Sequence, residues 1–295
     1  MPEELDELNR LFTSKNAEDV IKFYDHFDNA EQLIQWMKNR PNAPMKIYEV
    51  DGDKDVVVVI PTANHEGEYA RNCANEIFKG QQIVFVESNG PFFNYARSCN
   101  YGLKYALKYK PKWIILSNDD MYKIDDFSVL RNKLSGINNA DVVFVSPTVY
   151  HSHDISIYKQ RLLLLLYRHL NQYNAVRLKL FNKYNIKLLV RQMNAIRKVF
   201  MKTVYTFKLV GDFSILSYDL VNKAEIFDET FINSVEDVYF SYKVAKENMN
   251  VAEIDFKIGD YIAKSLGWGV DRTIRNISNL AYFNTKLVIN SAKPK

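Results

Sequence analysis

Cysteine is almost missing from this chain: Cys73 and Cys99 are the only two among 295 residues, and both fall in stretches whose periodicity predicts helix. Two isolated thiols exclude a disulfide framework and a thiolate metal site, and they fit a reducing cytoplasm. Histidine is sparse too, and His65, His151, His153 and His169 lack the spacings that close around a metal. No uncharged apolar run is long enough to span a bilayer, and the opening MPEELDELNR is acidic where a signal peptide is apolar. A cytoplasmic protein, soluble or held peripherally at the inner membrane surface, is therefore expected. Acidic residues vanish from Ile155 to Gly211, a stretch that carries 12 of the 39 Lys and Arg and leaves 27 basic against 35 acidic residues elsewhere. A basic segment inserted in an acidic body points to a negatively charged partner, whether phospholipid, diphosphate or nucleic acid.

What is present reads as an α/β protein. A hydrophobic content of 47% supports a substantial core. Residues 1 to about 40 predict short helices, with Asn16 and Asn29 as N-caps and Pro41 and Pro44 closing the segment. The run from Asp55 to Thr62, β-branched and ended by Pro61-Thr62, predicts a strand. A helix from about Glu66 to Phe78 follows, then a strand at Ile83–Val86, a helix from about Asn94 to Lys108 and a strand at Trp113. That order, with short connections, is the order of a parallel sheet with crossover helices. A helix at 125–134 and a strand at 142–145 continue it. After the basic segment come a strand at 213–216, a short helix at 218–224, an apolar helix opened by Glu236-Asp237, an edge strand at 251–256, a polar loop at 258–269 and a terminal helix. The expected organisation is a helical extension over 1–50 and one domain over 51–295. That domain divides into halves at 51–150 and 211–295, with a basic helical insertion at 155–210.

Two acidic stretches carry the chemistry. WIILSNDD ends an apolar run abruptly in Asn118, Asp119 and Asp120. At the carboxyl end of a buried parallel strand such residues lie where a ligand binds, and their oxygens suit Mg²⁺ or Mn²⁺. The same residues could equally cap the next helix. Glu236-Asp237 likewise stands either as a carboxylate base or as charge at a helix N-terminus. In the basic segment, Leu166, Leu170, Tyr173, Leu180 and Tyr184 recur at near-helical spacing among Arg168, Arg177, Lys179 and Lys187. That pattern fits a helix packed on its own domain or one lying on anionic membrane. Its interleaved aromatics are at helical spacing, which favours packing over the stacking that nucleic acid requires.

Taken together, VVVVIPT, IVFVESNG, NYARSCNYGLKYA, WIILSNDD and GDFSILSYDLVNKAEIFDETFINSVEDVYFSYKV resemble, in order and spacing, the family 2 glycosyltransferases. These are inverting, nucleotide-sugar-dependent enzymes of the GT-A fold, a Rossmann-like, mostly parallel sheet flanked by helices. The resemblance implies that Pro61, Thr62, Glu87, Asn89, Arg97 and Asn118 surround a nucleoside-diphosphate sugar. It further implies that Asp119 and Asp120, with Asp260, hold Mn²⁺ or Mg²⁺, and that Asp237 is the general base with Glu236 beside it. The acceptor would be a lipid-linked, glycan or protein hydroxyl. Three positions depart from the family pattern: Glu87 stands where Asp is usual, Ser117 takes the first place of the DxD motif, and Asp260 replaces a late histidine. A nucleotidyltransferase would need a glycine-rich loop after its first strand, and PTANHEGEY has one glycine. A catalytically degenerate GT-A protein that binds membrane or nucleic acid through the basic segment is the remaining alternative.

Overall fold

The computed structural model describes residues 2–146, 152–155, 205–208, 212–261 and 269–292. The expected basic helix lies outside these residues. The chain divides into two compact units, one formed by 1–41, 153–207 and 268–295, the other by 42–152 and 208–267.

In the first unit, helices α1 (Pro2–Thr13), α2 (Ala17–Tyr24) and α3 (Ala30–Asn39) are short and amphipathic. Their apolar faces meet in an aromatic cluster in which Phe23 packs edge-on against Phe12 at 4.9 Å and Trp36 at 4.6 Å. Asn16 and Asn29 cap α2 and α3 as expected, accepting from the amides of Glu18 and Gln32. The carboxamide of Gln32 returns the favour by accepting from the Asp28 amide at 2.8 Å. The tyrosine hydroxyl of Tyr24, fully buried, donates to the carbonyl of Ile274 at 2.7 Å, and this ties α2 to the long terminal helix spanning Val270–Ala292.

The second unit is a three-layer α/β structure. Its seven-stranded sheet runs in the order β1 (Lys46–Val50), β3 (Gln81–Glu87), β2 (Asp53–Thr62), β4 (Trp113–Ser117), β9 (Phe213–Ser217), β6 (Val142–Ser146) and β10 (Val251–Asp255). Five strands point one way; β1 and β9 are antiparallel to their neighbours. The unit also holds β5 (Met121–Lys123); β7 (Ser152–Ile155) and β8 (Tyr205–Lys208), which fall almost wholly in the first unit, pair with each other. A further strand, β11 (Ile258–Asp260), pairs antiparallel with β5.

Strand periodicity explains the layers. Val56, Val58 and Ile60 face one side, where they meet Ala70 of α4 (Glu68–Asn72), Cys73 of the π-helical turn Cys73–Ile77, Phe78 just after it and Leu130 of α6 (Phe127–Ser135). Val57 and Val59 face the other, against Ala96, Cys99 and Leu103 of α5 (Tyr95–Ala106), Leu220 of α7 (Tyr218–Lys223) and Phe240 of α8 (Glu236–Lys246). Because both faces are covered, the central strands need no polar alternation. The two free cysteines are core residues in these layers.

Two segments differ from the sequence expectation. Lys46–Val50 is an edge strand rather than part of the helical extension: Ile47 packs toward one layer and Tyr48 toward the other, while Glu49 and Val50 stay exposed. Ile258–Asp260, expected as loop, forms β11 because Ile258 is buried and Gly259 leaves room for the Tyr122 ring opposite it. Among the described residues no helix is long and apolar enough to cross a membrane.

Candidate active site

β2 leads through α4 to β3 on one side of the sheet, and β4 leads to strands on the other. Adjacent strands whose connections diverge leave a crevice at their carboxyl ends, the usual ligand position in open α/β sheets. Thr62 and Ser117 are the last residues of β2 and β4.

Across that crevice the Thr62 hydroxyl donates to Asp119 Oδ2 at 2.6 Å, and the Asn64 amide donates to the Thr62 hydroxyl at 3.2 Å. Burial raises Asp119 above the ordinary carboxylate range; the Thr62 hydroxyl opposes that rise and the neighbouring Asp120 adds to it. Asp120 itself is 3% exposed, and its carbonyl accepts from the Tyr261 amide at 2.9 Å. The Cys73 thiol lies 3.2 Å from the Asp119 carbonyl, so the π-turn backs the turn from behind.

Asn118 is held on both sides of its amide. Its Nδ2 donates to Asp212 Oδ1 at 2.9 Å and its Oδ1 accepts from the Tyr95 hydroxyl at 2.6 Å, while its backbone amide donates to the Asp212 carbonyl at 2.9 Å. Asp212 is the residue that sequence reasoning missed. It precedes β9, and since β9 runs antiparallel to β4, the start of β9 falls beside the end of β4, with Phe213 opposite Ser117. Burial pushes Asp212 to about 7, reinforced by a hydrogen bond and charge from Asp260 and by the charges of Asp237 and Asp120. Asp212 thus feels carboxylates from three other segments, those of Asp120, Asp237 and Asp260.

Asp237 lies in the first turn of α8. One of its oxygens accepts from the Val238 amide at 2.8 Å, and its carbonyl accepts from the Ser241 hydroxyl at 2.7 Å. Both contacts serve the start of its own helix. Glu236 is buried at 5% exposure. The turn before them takes left-handed backbone at Asn233 (φ 55°) and Val235 (φ 74°), and a β-branched residue at positive φ is an outlier of the kind found at functional sites.

The asparagines of α5 hold that turn. Asn94 Nδ2 donates to the carbonyls of Glu229 (2.8 Å) and Phe231 (3.0 Å), and the Tyr95 amide donates to Asn233 Oδ1 at 2.8 Å. Asn100 exchanges two bonds with the Phe227 backbone, at 2.8 and 3.0 Å. The signal that could have found these bonds is the pair of asparagines in NYARSCN, since buried amides on an apolar helix face must find partners.

Pro61 and Thr62 are buried at the crevice. Glu87 and Asn89 follow the neighbouring β3. Glu87 Oε2 accepts from His65 Nδ1 at 2.6 Å and from the His65 amide at 3.1 Å, which holds Glu87 below its usual range. The imidazole stacks on Tyr48 with ring centroids 3.5 Å apart and planes 8° from parallel. Asn89 Nδ2 donates to the Ala63 carbonyl at 3.3 Å. Arg97 Nη1 is buried with no hydrogen-bond partner among the described residues, the donor chemistry that an anionic ligand would satisfy.

Among the described residues no three carboxylate, imidazole or thiolate side chains stand ready to close around a metal ion. The oxygen donors present fit the other mode of hard-cation binding, in which one or two carboxylates share Mg²⁺ or Mn²⁺ with water and a phosphate ligand.

No protein-family model matches the chain, and no curated protein matches it. Among solved structures it is similar to the protein A197 from STIV, at 14% identity over 70% of this chain and 85% of that one, with a TM-score of 0.38.

Proposed function

We propose that the protein is a glycosyltransferase of the GT-A type that transfers a sugar from a nucleoside-diphosphate sugar to an acceptor hydroxyl with inversion. One observation carries this reading: Tyr95 gives its hydroxyl to Asn118, beside Asp119, at 2.6 Å and its amide to Asn233, shortly before Asp237, at 2.8 Å. A single residue of α5 is thus bonded to both acidic stretches, which are more than a hundred residues apart in sequence. The antiparallel β9 between β4 and β6 also suits that fold.

In this reading Asp119 and Asp120, with Asp260, hold Mn²⁺ or Mg²⁺, which when bound neutralises charge on a departing diphosphate. Arg97 offers its unpartnered Nη1 to the same phosphates. Thr62 and Asn118 fix the direction of Asp119 and Asp212. Asp237 takes the proton from the acceptor hydroxyl as it attacks the anomeric carbon from the face opposite the leaving group. Glu236 lies beside it. Glu87 does not meet a nucleotide as a bare carboxylate, because His65 occupies one of its oxygens; the pair acts together on base or ribose.

The test is a screen of nucleotide sugars for Mn²⁺-dependent hydrolysis or thermal stabilisation, followed by two variants. Asp119→Ala should abolish cation-dependent binding of the nucleoside diphosphate in calorimetry, and unchanged binding removes the metal role. Asp237→Asn should bind donor normally and fail to transfer; normal turnover assigns the base elsewhere.

A further inference from the structure

Three tyrosines, from α4, β5 and the residue after β11, form an aromatic surface bordering the carboxylates. Tyr261 and Tyr122 have ring centroids 5.0 Å apart and planes inclined by 47°; Tyr261 and Tyr69 are 6.0 Å apart at 46°. Tyr261 is 42% and Tyr122 37% exposed, beside Ile124 at 45%. Large rings left in water at adjoining positions call for an explanation that isolated surface aromatics do not.

The surface is built into the β5–β11 ladder. Tyr122 is the register partner of Gly259, and a Cβ on Gly259 would lie 2.1 Å from the Tyr122 ring, so the ring rests flat on the glycine. Tyr261, two residues on, shares that face by strand alternation. The other end of the ladder is the acidic site: Asp260 pairs with Met121, immediately after Asp120, and the Tyr261 amide is bonded to the Asp120 carbonyl at 2.9 Å.

We propose that Tyr122, Tyr261 and Tyr69 form the acceptor platform, and that the acceptor is a glycan whose sugar rings lie on the phenol faces. This rests on the transferase reading for the identity of the neighbouring cleft. Charge selects the occupant. The carboxylates that the ladder joins to these rings, Asp120 and Asp260, disfavour nucleic acid and anionic lipid headgroups, whereas a neutral polyol presents C–H faces to the rings and hydroxyls to phenol and carboxylate oxygens.

The probes are cellohexaose, chitohexaose and maltohexaose, with binding to the full chain followed by saturation-transfer NMR and calorimetry. At least one should bind. Tyr122→Ala and Tyr261→Ala should each weaken it about five- to tenfold, with Asp119-dependent nucleotide binding retained as the check that the fold is intact. Gly259→Ala, which keeps every ring but displaces Tyr122, should weaken it as well. The proposal is overturned if none of the three binds or if binding ignores these variants. It is overturned equally if the same tyrosines prove to be required for sedimentation with phosphatidylglycerol vesicles or for self-association. UDP and GDP titrated with Mn²⁺ separate the two claims. Asp119-dependent nucleotide binding without hexasaccharide binding sinks the platform alone, and hexasaccharide binding without nucleotide binding sinks the transferase reading and leaves a glycan-binding surface.

Discussion

The hydroxyl of Thr62 reaches Asp119 Oδ2 at 2.6 Å and so joins the last residue of β2 to the acid that follows β4. Thr62→Val keeps the shape and removes the donor. A hydrogen bond to an ionised group contributes about 1.5–3 kcal/mol, so urea denaturation at neutral pH should show a loss of that order. Asp119 should then titrate higher, because the Thr62 bond is what restrains its rise. Mn²⁺-dependent nucleotide binding should weaken more at acidic than at alkaline pH. A variant with native stability and native binding would mean that the bond is incidental.

Asp212 supplies a pH dependence with a definite sign. Its folded value is about 7 against roughly 3.9 for an ordinary aspartate. The folded chain therefore holds this proton more tightly than the unfolded one. That stabilisation is fully present below about pH 4 and is lost as pH rises through about 7. In EDTA the melting temperature should fall between about pH 5 and pH 8, and Asp212→Asn should flatten the fall. A native profile that is already flat would show that the Asp212 and Asp260 carboxyls do not share a proton.

Gly102 sits where α5 crosses the sheet, and a Cβ there would lie 2.4 Å from Val59 Cγ1 and 2.6 Å from Val86 Cγ2. Alanine is the better helix former by about 1 kcal/mol, but overpacking a filled core costs about 1–3 kcal/mol. Two clashes against fully buried valines should decide the balance. Gly102→Ala is expected to be less stable in chemical denaturation; a gain would show slack between helix and sheet.

Asn100 replaces a missing backbone partner for Phe227 by taking its amide and supplying its carbonyl. Asn100→Ala leaves both buried groups unmatched, at about 1–3 kcal/mol each. The loosened segment leads to Asp237. Transfer should therefore decline while nucleoside-diphosphate binding holds, and kinetics beside calorimetry will show whether the two separate.

The core strands were legible because their burial is local information: Val56–Ile60 and Trp113–Leu116 are apolar without interruption, and both strands lie where that pattern places them. Asn118, Asp119, Asp120 and Asp237 were reached as polar residues at the ends of such elements. Asp212 was not, because its place depends on β9 running antiparallel, and strand direction leaves no trace in a run as short as Phe213–Ser217. Lys46–Val50 escaped for a related reason. An edge strand half in water has little periodicity until Val84–Val86 is known to pair with it. His65, read as an ordinary polar residue, became informative only with Glu87 and Tyr48 around it.

The reversed strand β9 also sets the order in which the molecule can be assembled. Asn118 and Asp212 are separated by 94 positions, so their meeting requires a long loop to close, whereas β2, β3 and β4 need only short ones. The first half can form its parallel ladder while the mutually repelling acids remain scattered. Pulse-labelled hydrogen exchange during refolding should accordingly protect β2, β3 and β4 before β9, so that the electrostatic burden of the crevice is met only once a hydrophobic framework able to bear it exists.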